Sequence, residues 1–340
     1  MSRNLAIIAA AGARKTQAII DRALAAAPQR VLITTYTNEN LRQLERRIIE
    51  TEGAVPEHIH LMGWFTFLLS QGIRPYQASV LDKTGIVRGL NFIHERPPFA
   101  KATELVYHLD RHGDVWRDAA SHLMVQANKR SGTAVVRRLE GIYDHIFVDE
   151  VQDLVGWDLE VLDLLFGAEL DVTVVGDPRQ HLFATNNGTK NAKYRGSGML
   201  DWLAARTRIC EREDRHESYR CNQDICDFAS ALFPRYPPMV SKHQELTGHD
   251  GIHTINRFEV LTYAEQHRPQ ALRYDKRAKT QGLVAMNFGI SKGSTFDRVL
   301  IFPTKPMLEY LDHKDPTKLK RPESLYVAVT RARFSVTFVV

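Results

Sequence analysis

The chain has 340 residues, 44% of them hydrophobic and 25% charged, with a formal net charge of +5 and a sequence pI near 9.0. That length allows two hydrophobic cores, and the small basic excess permits a polyanionic partner without demanding one. The longest apolar run, Leu5 to Ala11, is too short to span a bilayer, and Lys15-Thr16 follows where a secretory signal would be cleaved, so neither a membrane association nor an exported precursor is expected.

In chain order, apolar strand candidates alternate with amphipathic helices. A strand is expected over Leu5–Ala10, then a helix over Thr16–Ala27, a strand over Val31–Thr35, and a helix after Asn38 in which Leu41, Leu44 and Ile48 fall at helical spacing. Residues 78–140 break the rhythm with a mixed, largely helical stretch that reads as a small insertion. Strands follow at Ile146–Asp149 and Val172–Gly176, with a helix over Trp157–Phe166 between them. The charged segment Thr207 to Ser218 suggests a boundary, giving domains over 1–210 and 211–340. Beyond it, residues 234–282 are polar and contain proline, and strands are expected at Val284–Phe288 and Arg298–Phe302 before a final apolar run, Ser335 to Val340. This alternation argues for an α/β protein with parallel sheets covered by helices. Cys210, Cys221 and Cys226 form neither a disulfide framework nor a zinc spacing, which fits reduced thiols in the cytoplasm; the 14 histidines show no HExxH pattern.

Two segments carry chemistry. Ala9-Ala10-Ala11-Gly12-Ala13-Arg14-Lys15-Thr16 lies between a strand and a helix, where backbone N–H groups and a helix N-terminus can cradle phosphate. Gly12, Ala13 and Arg14 would form the cradle, Lys15 would neutralise the β- and γ-phosphates of ATP, and the Thr16 hydroxyl would bind Mg²⁺. The P-loop pattern wants glycine where this chain has Ala9 and Arg14, so the octapeptide alone reads equally as a plain strand–turn–helix. Ile146 to Asp153 then puts two adjacent carboxylates at the end of an apolar strand. Asp149 is suited to holding Mg²⁺, and Glu150 to orienting and deprotonating a water. Ligands gather at the carboxyl ends of strands in open α/β sheets, so both segments can serve one site.

Asp149-Glu150-x-Gln152-Asp153 resembles the signature of UvrD/Rep-like superfamily 1 helicases, and further segments follow in that family's order. Thr35-Tyr36-Thr37-Asn38 is similar to its TFTN segment, Gly176-Asp177-Pro178-Arg179-Gln180 to its GDxxQ motif and Ser218-Tyr219-Arg220 to its NYR motif. Ser291 to Asp297 resembles SKGLEFD, and Tyr326 to Arg333 resembles the closing YVAxTRAR. The resemblance implies two RecA-like parallel-sheet domains of the P-loop NTPase type, with ATP hydrolysed between them. It implies that Gln180 senses the γ-phosphate and that Arg220 and Arg331 stabilise charge in phosphoryl transfer. Tyr36, Trp64, Phe65 and Phe183 would stack on bases, Thr37 and Asn38 would touch backbone phosphates, and Lys292 would reach either the strand or the interdomain cleft. For each aromatic ring, burial in the sheet core is the alternative.

The chain departs from the family at Arg14, at Thr185 where a base-stacking Trp is common, at Thr295 where a Glu is usual, and in the shortness of its insertions. The eight residues before Ala9 carry no adenine-reading glutamine motif. The implied activity is ATP-dependent 3′→5′ translocation on single-stranded DNA or at a junction with duplex DNA. An RNA-directed motor is one alternative. A catalytically weakened nucleotide- and DNA-binding subunit, working with a nuclease or a repair or defence factor, is another.

Overall fold

The computed structural model describes residues 4–81, 85–185 and 188–340, which fold as two compact units. Residues Thr16–Pro178 and Phe183–Glu213, with the start of the chain up to Ile8, make the first. Asp214–Val340 makes the second, joined by two short stretches, Ala9–Lys15 and Arg179–Leu182.

The first unit is built on a sheet of strands β1 (Asn4–Ala9), β2 (Val31–Thr35), β3 (Ile59–Gly63), β6 (His145–Val148), β7 (Asp171–Gly176) and β8 (Glu211–Arg215), in the order β3-β2-β6-β7-β1-β8. Between β3 and β6, β4 (Gly89–Asn91) and β5 (Asp114–Trp116) pair separately. The main strands are near-continuous apolar runs because helices cover both faces of a parallel sheet; all five residues of β2 are buried. Registers such as Ile8↔Gly176, Val148↔Val174 and Thr34↔Val148 bring β1, β7, β6 and β2 to an end along one edge. The first helix, Lys15–Ala25, buries Ile19, Ile20 and Ala23. The second, Asn38–Glu52, buries Leu44 and Ile48 and begins at a cap where Thr37 Oγ1 accepts the Asn40 N–H at 3.2 Å. It stops at Gly53, whose φ of 81° suits the left-handed cap.

The stretch read as a helical insertion is mixed in structure; residues 82–84 lie outside the described part. Its helices Ala120–Arg130 and Ala134–Ile142 bury Leu123, Met124 and Leu139 in the same core as Phe67, Ile146 and Trp202. The parallel β4–β5 pair was not legible in the sequence.

In the second unit β9 (Glu217–Ser218) pairs with β10 (Val240–Ser241). The main sheet has the order β11-β15-β14-β12-β13, with β11 Gly251–Ile255, β12 Gln270–Arg273, β13 Met286–Asn287, β14 Phe296–Phe302 and β15 Ala332–Val339, all parallel. The strand expected over Val284–Phe288 shrinks to two residues, and Val284 is exposed. The closing apolar run is β15, which pairs with both β11 and β14. Val299, Ile301, Tyr326, Val336 and Phe338 form its core with Ile225 and Phe288. Among the described residues, no helix is long and apolar enough to cross a membrane. The three cysteines are free and buried, and burial pushes the Cys210 thiol up to about 12.

Candidate nucleotide and nucleic-acid site

In the first unit, β6 leaves the sheet interior at Asp149, whose carboxylate residue is buried and whose N–H is bonded to Thr34 O at 2.8 Å. Glu150 follows with a φ of 55°, a left-handed conformation that costs an L-residue about 1–3 kcal/mol and persists only where its surroundings dictate it. Three hydrogen bonds do so. Glu150 N donates to Asp149 Oδ1 at 2.9 Å, Asp153 N donates to Glu150 O at 2.9 Å, and Gln152 Nε2 donates to the Glu150 carboxylate. Gln152 is fully buried, and its Oε1 accepts the Asp177 N–H at 2.9 Å. A Cβ on Gly176 would collide with that same Oε1 and lie 2.9 Å from Val151 Cγ1, which is why glycine precedes Asp177. Gln152 therefore ties the Asp-Glu turn to the Gly-Asp turn and aims the Glu150 carboxylate. Thr16, in the first turn of its helix, is half-buried.

In the second unit, the loop after β1 packs against the segment Ser218-Tyr219-Arg220. Gly12 has a φ of 80°, and a Cβ there would collide with Ser218 Oγ and lie 2.9 Å from Arg220 Cβ. Arg14 also has a left-handed φ, 54°, and its guanidinium sits over the Tyr219 ring, 4.0 Å from the centroid. The strain expected of a residue other than glycine at this position is thus present, and the guanidinium stacks on an aromatic ring. Ala10 N donates to Arg215 O at 2.8 Å, Ala11 N to Tyr326 Oη at 3.1 Å, and Tyr219 N to Gly12 O at 3.0 Å. Lys15 Nζ donates to the carbonyls of Ala9 and Ala10 at 3.3 Å each. Arg331 is buried and donates to Gln180 Oε1 at 3.2 Å, and to Val327 O at 3.0 Å and Ser294 O at 3.3 Å; Arg220 Nη1 donates to Thr330 O at 3.0 Å. Tyr219 and Tyr326, part of the motif text but given no role from sequence, are the partners of the loop.

The aromatic residues separate. Trp64 is 0% exposed and its Nε1–H donates to Asp158 Oδ1 at 2.8 Å, which is the core placement that stood as the alternative to base stacking. Thr185 explains the missing Trp at its position. It is buried, its hydroxyl donates to Asp158, and its Oγ1 accepts the Val155 N–H at 3.2 Å. Burial pushes the Asp158 carboxyl up, opposed by hydrogen bonds from Ser121, Thr185 and Trp64. Phe65 is only 7% exposed, covered between Tyr36 and Phe92, which favours the core alternative for that ring. Tyr36 is half-buried, and Phe183, Asn38 and Lys292 reach the surface to varying degrees. The Thr37 hydroxyl is engaged as a helix cap.

Each unit, taken by itself, carries side chains of the kind a magnesium nucleotide calls for. Lys15 supplies a cation on a glycine-containing loop that a Cβ would block. Thr16, Asp149 and Asp177 supply hard oxygen donors, and Mg²⁺ in such sites takes only one or two protein ligands. Among the described residues, no group of three or more His, Cys, Asp or Glu side chains is arranged for a metal.

Solved structures of similar fold include arterivirus nonstructural protein 10, a helicase, at 15% identity over 99% of this chain and 59% of that one, with a TM-score of 0.51. A complex of that arterivirus protein with DNA matches at 14% identity, 99% and 61% coverage, and a TM-score of 0.52. The PRRSV helicase matches at 17% identity, 99% and 52% coverage, and a TM-score of 0.49. The chain thus spans between 52% and 61% of the length of these structures, and at such identities the likeness bears on the fold alone. No curated protein matches the chain. The family model of the viral superfamily 1 RNA helicase core domain matches residues 120–340, from the start of helix Ala120–Arg130 through β15. By that match, covering more than half of its length, the chain belongs to the family of viral superfamily 1 RNA helicase cores.

Proposed function

We propose that this chain is the motor core of an ATP-dependent translocase that moves 3′→5′ along single-stranded nucleic acid in the cytoplasm, built on the UvrD/Rep-like plan and preferring DNA. The observation that carries this reading is the Gln152 bridge. It holds Glu150 in a strained backbone with its carboxylate fixed, as a general base must be before water arrives. In this reading Lys15 and the N–H groups of Gly12, Ala13 and Arg14 bind the phosphates, and Thr16 and Asp149 hold the metal. Glu150 orients the water and takes its proton. Gln180, Arg220 and Arg331 neutralise charge on the transferred group, with Gln180 and Arg331 acting as a hydrogen-bonded pair. The bound Mg²⁺ would supply charge neutralisation on the phosphate oxygens. Tyr36, Asn38, Phe183 and Lys292 contribute to the strand track, with the single strand of a junction as the partner.

A second reading is a weakened nucleotide-binding subunit that serves a nuclease or a repair or defence factor. It is favoured by Arg14, which strains the loop and lies on Tyr219, and by the loop N–H groups already bonded to Arg215 and Tyr326. ATP turnover with no nucleic acid, with single-stranded DNA and with single-stranded RNA separates these readings. Stimulation by DNA supports the proposal, stimulation by RNA alone moves the substrate to RNA in line with the family's description, and no turnover under any condition leaves the subunit reading.

A further inference from the structure

Phe65 lies inside a short line of aromatic rings. Its centroid is 5.9 Å from Tyr36 on one side and 5.0 Å from Phe92 on the other, where the two rings meet edge to face at 88°. Phe92 is the open end of that line, 53% exposed against 7% for Phe65. It follows directly on β4, and the turn that carries it is fixed. Asn91 Nδ2 donates to Asp110 Oδ2 at 2.8 Å, and Asn91 Oδ1 accepts the N–H groups of Ile93 and His94 at 3.0 Å each. Phe92 and Ile93, together with Val106 and Trp116, line a groove of about 660 Å³, within the size range of ligand sites. His94, Arg111 and His112 line it as well. Asp110 and Asp114 also line it. The Asp110 carboxylate is engaged by Asn91 and by the backbone N–H groups of His112 at 2.8 Å and Asp114 at 3.0 Å.

We propose that Phe92 is the base-stacking ring at this end of the single-strand track, carrying the Tyr36–Phe65 line onto the β4–β5 pair, with single-stranded nucleic acid as the occupant of the groove. An exposed flat ring with one arginine, Arg111, in the same groove gives a single strand a stacking face and a phosphate partner, because every base has a π-face and every nucleotide a phosphate. The groove is continuous, through ring contacts, with Tyr36, a residue of the proposed track. The inference rests on the reading of the chain as a single-strand motor.

The test is fluorescence anisotropy with labelled oligothymidylate and oligouridylate of about twenty nucleotides, long enough to cover such a site. Phe92→Ala should weaken binding roughly five- to one-hundred-fold, the usual worth of one stacked base. The slope of log affinity against log salt should stay that of wild type, because a phenyl ring neutralises no phosphate. Phe92→Trp should bind like wild type and Phe92→Leu like the alanine variant, all melting together because the ring is half exposed. Wild-type binding with Phe92→Ala or Phe92→Leu unimpaired overturns this inference and leaves the motor reading intact. Absence of wild-type binding at every salt concentration removes both.

Discussion

Replacement of Arg14 by glycine isolates the most unusual feature of the nucleotide loop. Arg14 holds a φ of 54°, which costs a residue with a Cβ about 1–2 kcal/mol relative to glycine. The change also removes the guanidinium from the Tyr219 ring, 4.0 Å away, worth about 0.5–1 kcal/mol at an exposed position. Glycine adds unfolded-chain entropy of roughly 0.4–1 kcal/mol. The terms nearly cancel, so Arg14→Gly should melt within a few degrees of wild type, and a change in turnover would report on the loop instead of on folding. With the strain relieved, the loop can wrap phosphate more closely. ATP hydrolysis in the presence of single-stranded nucleic acid should therefore be equal to or faster than wild type, whereas Lys15→Ala should abolish it. A folded Arg14→Gly protein that loses nucleotide binding would refute this reasoning, because it would make the arginine side chain a phosphate ligand whose contribution exceeds the strain. The Tyr219→Ala variant provides the cross-check: it frees the guanidinium without changing the backbone residue.

Other consequences follow from contacts of the same kind. Trp64→Phe removes the Nε1–H from buried Asp158 and should lower stability by about 1–3 kcal/mol in denaturant melts while leaving oligonucleotide affinity unchanged; a selective affinity loss would return Trp64 to the track. Gly176→Ala forces a Cβ against Gln152 and Val151 and should depress turnover more than nucleotide affinity, since it disturbs the residue that aims Glu150; calorimetry and steady-state kinetics together test this. His122 and His145 are held down at about 4 by burial, below their ordinary 6.5. Their neutral forms favour the native state, so their contribution is complete above pH 6.5 and is lost as pH falls through 6.5 towards 4, where the unfolded chain takes up protons that the folded one excludes. Melting temperature should fall through that window, and less so in a His122→Asn protein.

The sequence was most legible where one physical signal dominates. Val31-Leu32-Ile33, continued by the β-branched Thr34 and Thr35, becomes an interior parallel strand, and Leu44 and Ile48 at helical spacing become the buried face of Asn38–Glu52. Superfamily 1 membership was readable from six short segments, five of them at a strand end or a turn and the last, from Tyr326, on the helix Pro322–Val329 that leads into β15. Strands of mixed composition were not. Ile59–Gly63 and Gly251–Ile255 include His, Gly and Thr, and they are strands because a sheet edge is available to them. Ring exposure was the hardest to read. Trp64 and Phe65 are adjacent to a strand end just as a stacking residue would be, and only the tertiary placement of Asp158 and Phe92 shows them covered. The Gln152 bridge likewise joins residues whose spacing in sequence gives no hint that Gly176 must make room for it.

The central claim, that Glu150 is the base of a nucleic-acid-driven ATPase, is tested most directly by ATP turnover of wild type and Glu150→Gln at saturating single-stranded nucleic acid. The account predicts stimulated hydrolysis by wild type and a loss of roughly 10²–10⁴-fold in the variant, the usual worth of a positioned general base, with oligonucleotide binding retained. Equal turnover by the two proteins, or none by wild type with either DNA or RNA, would contradict it.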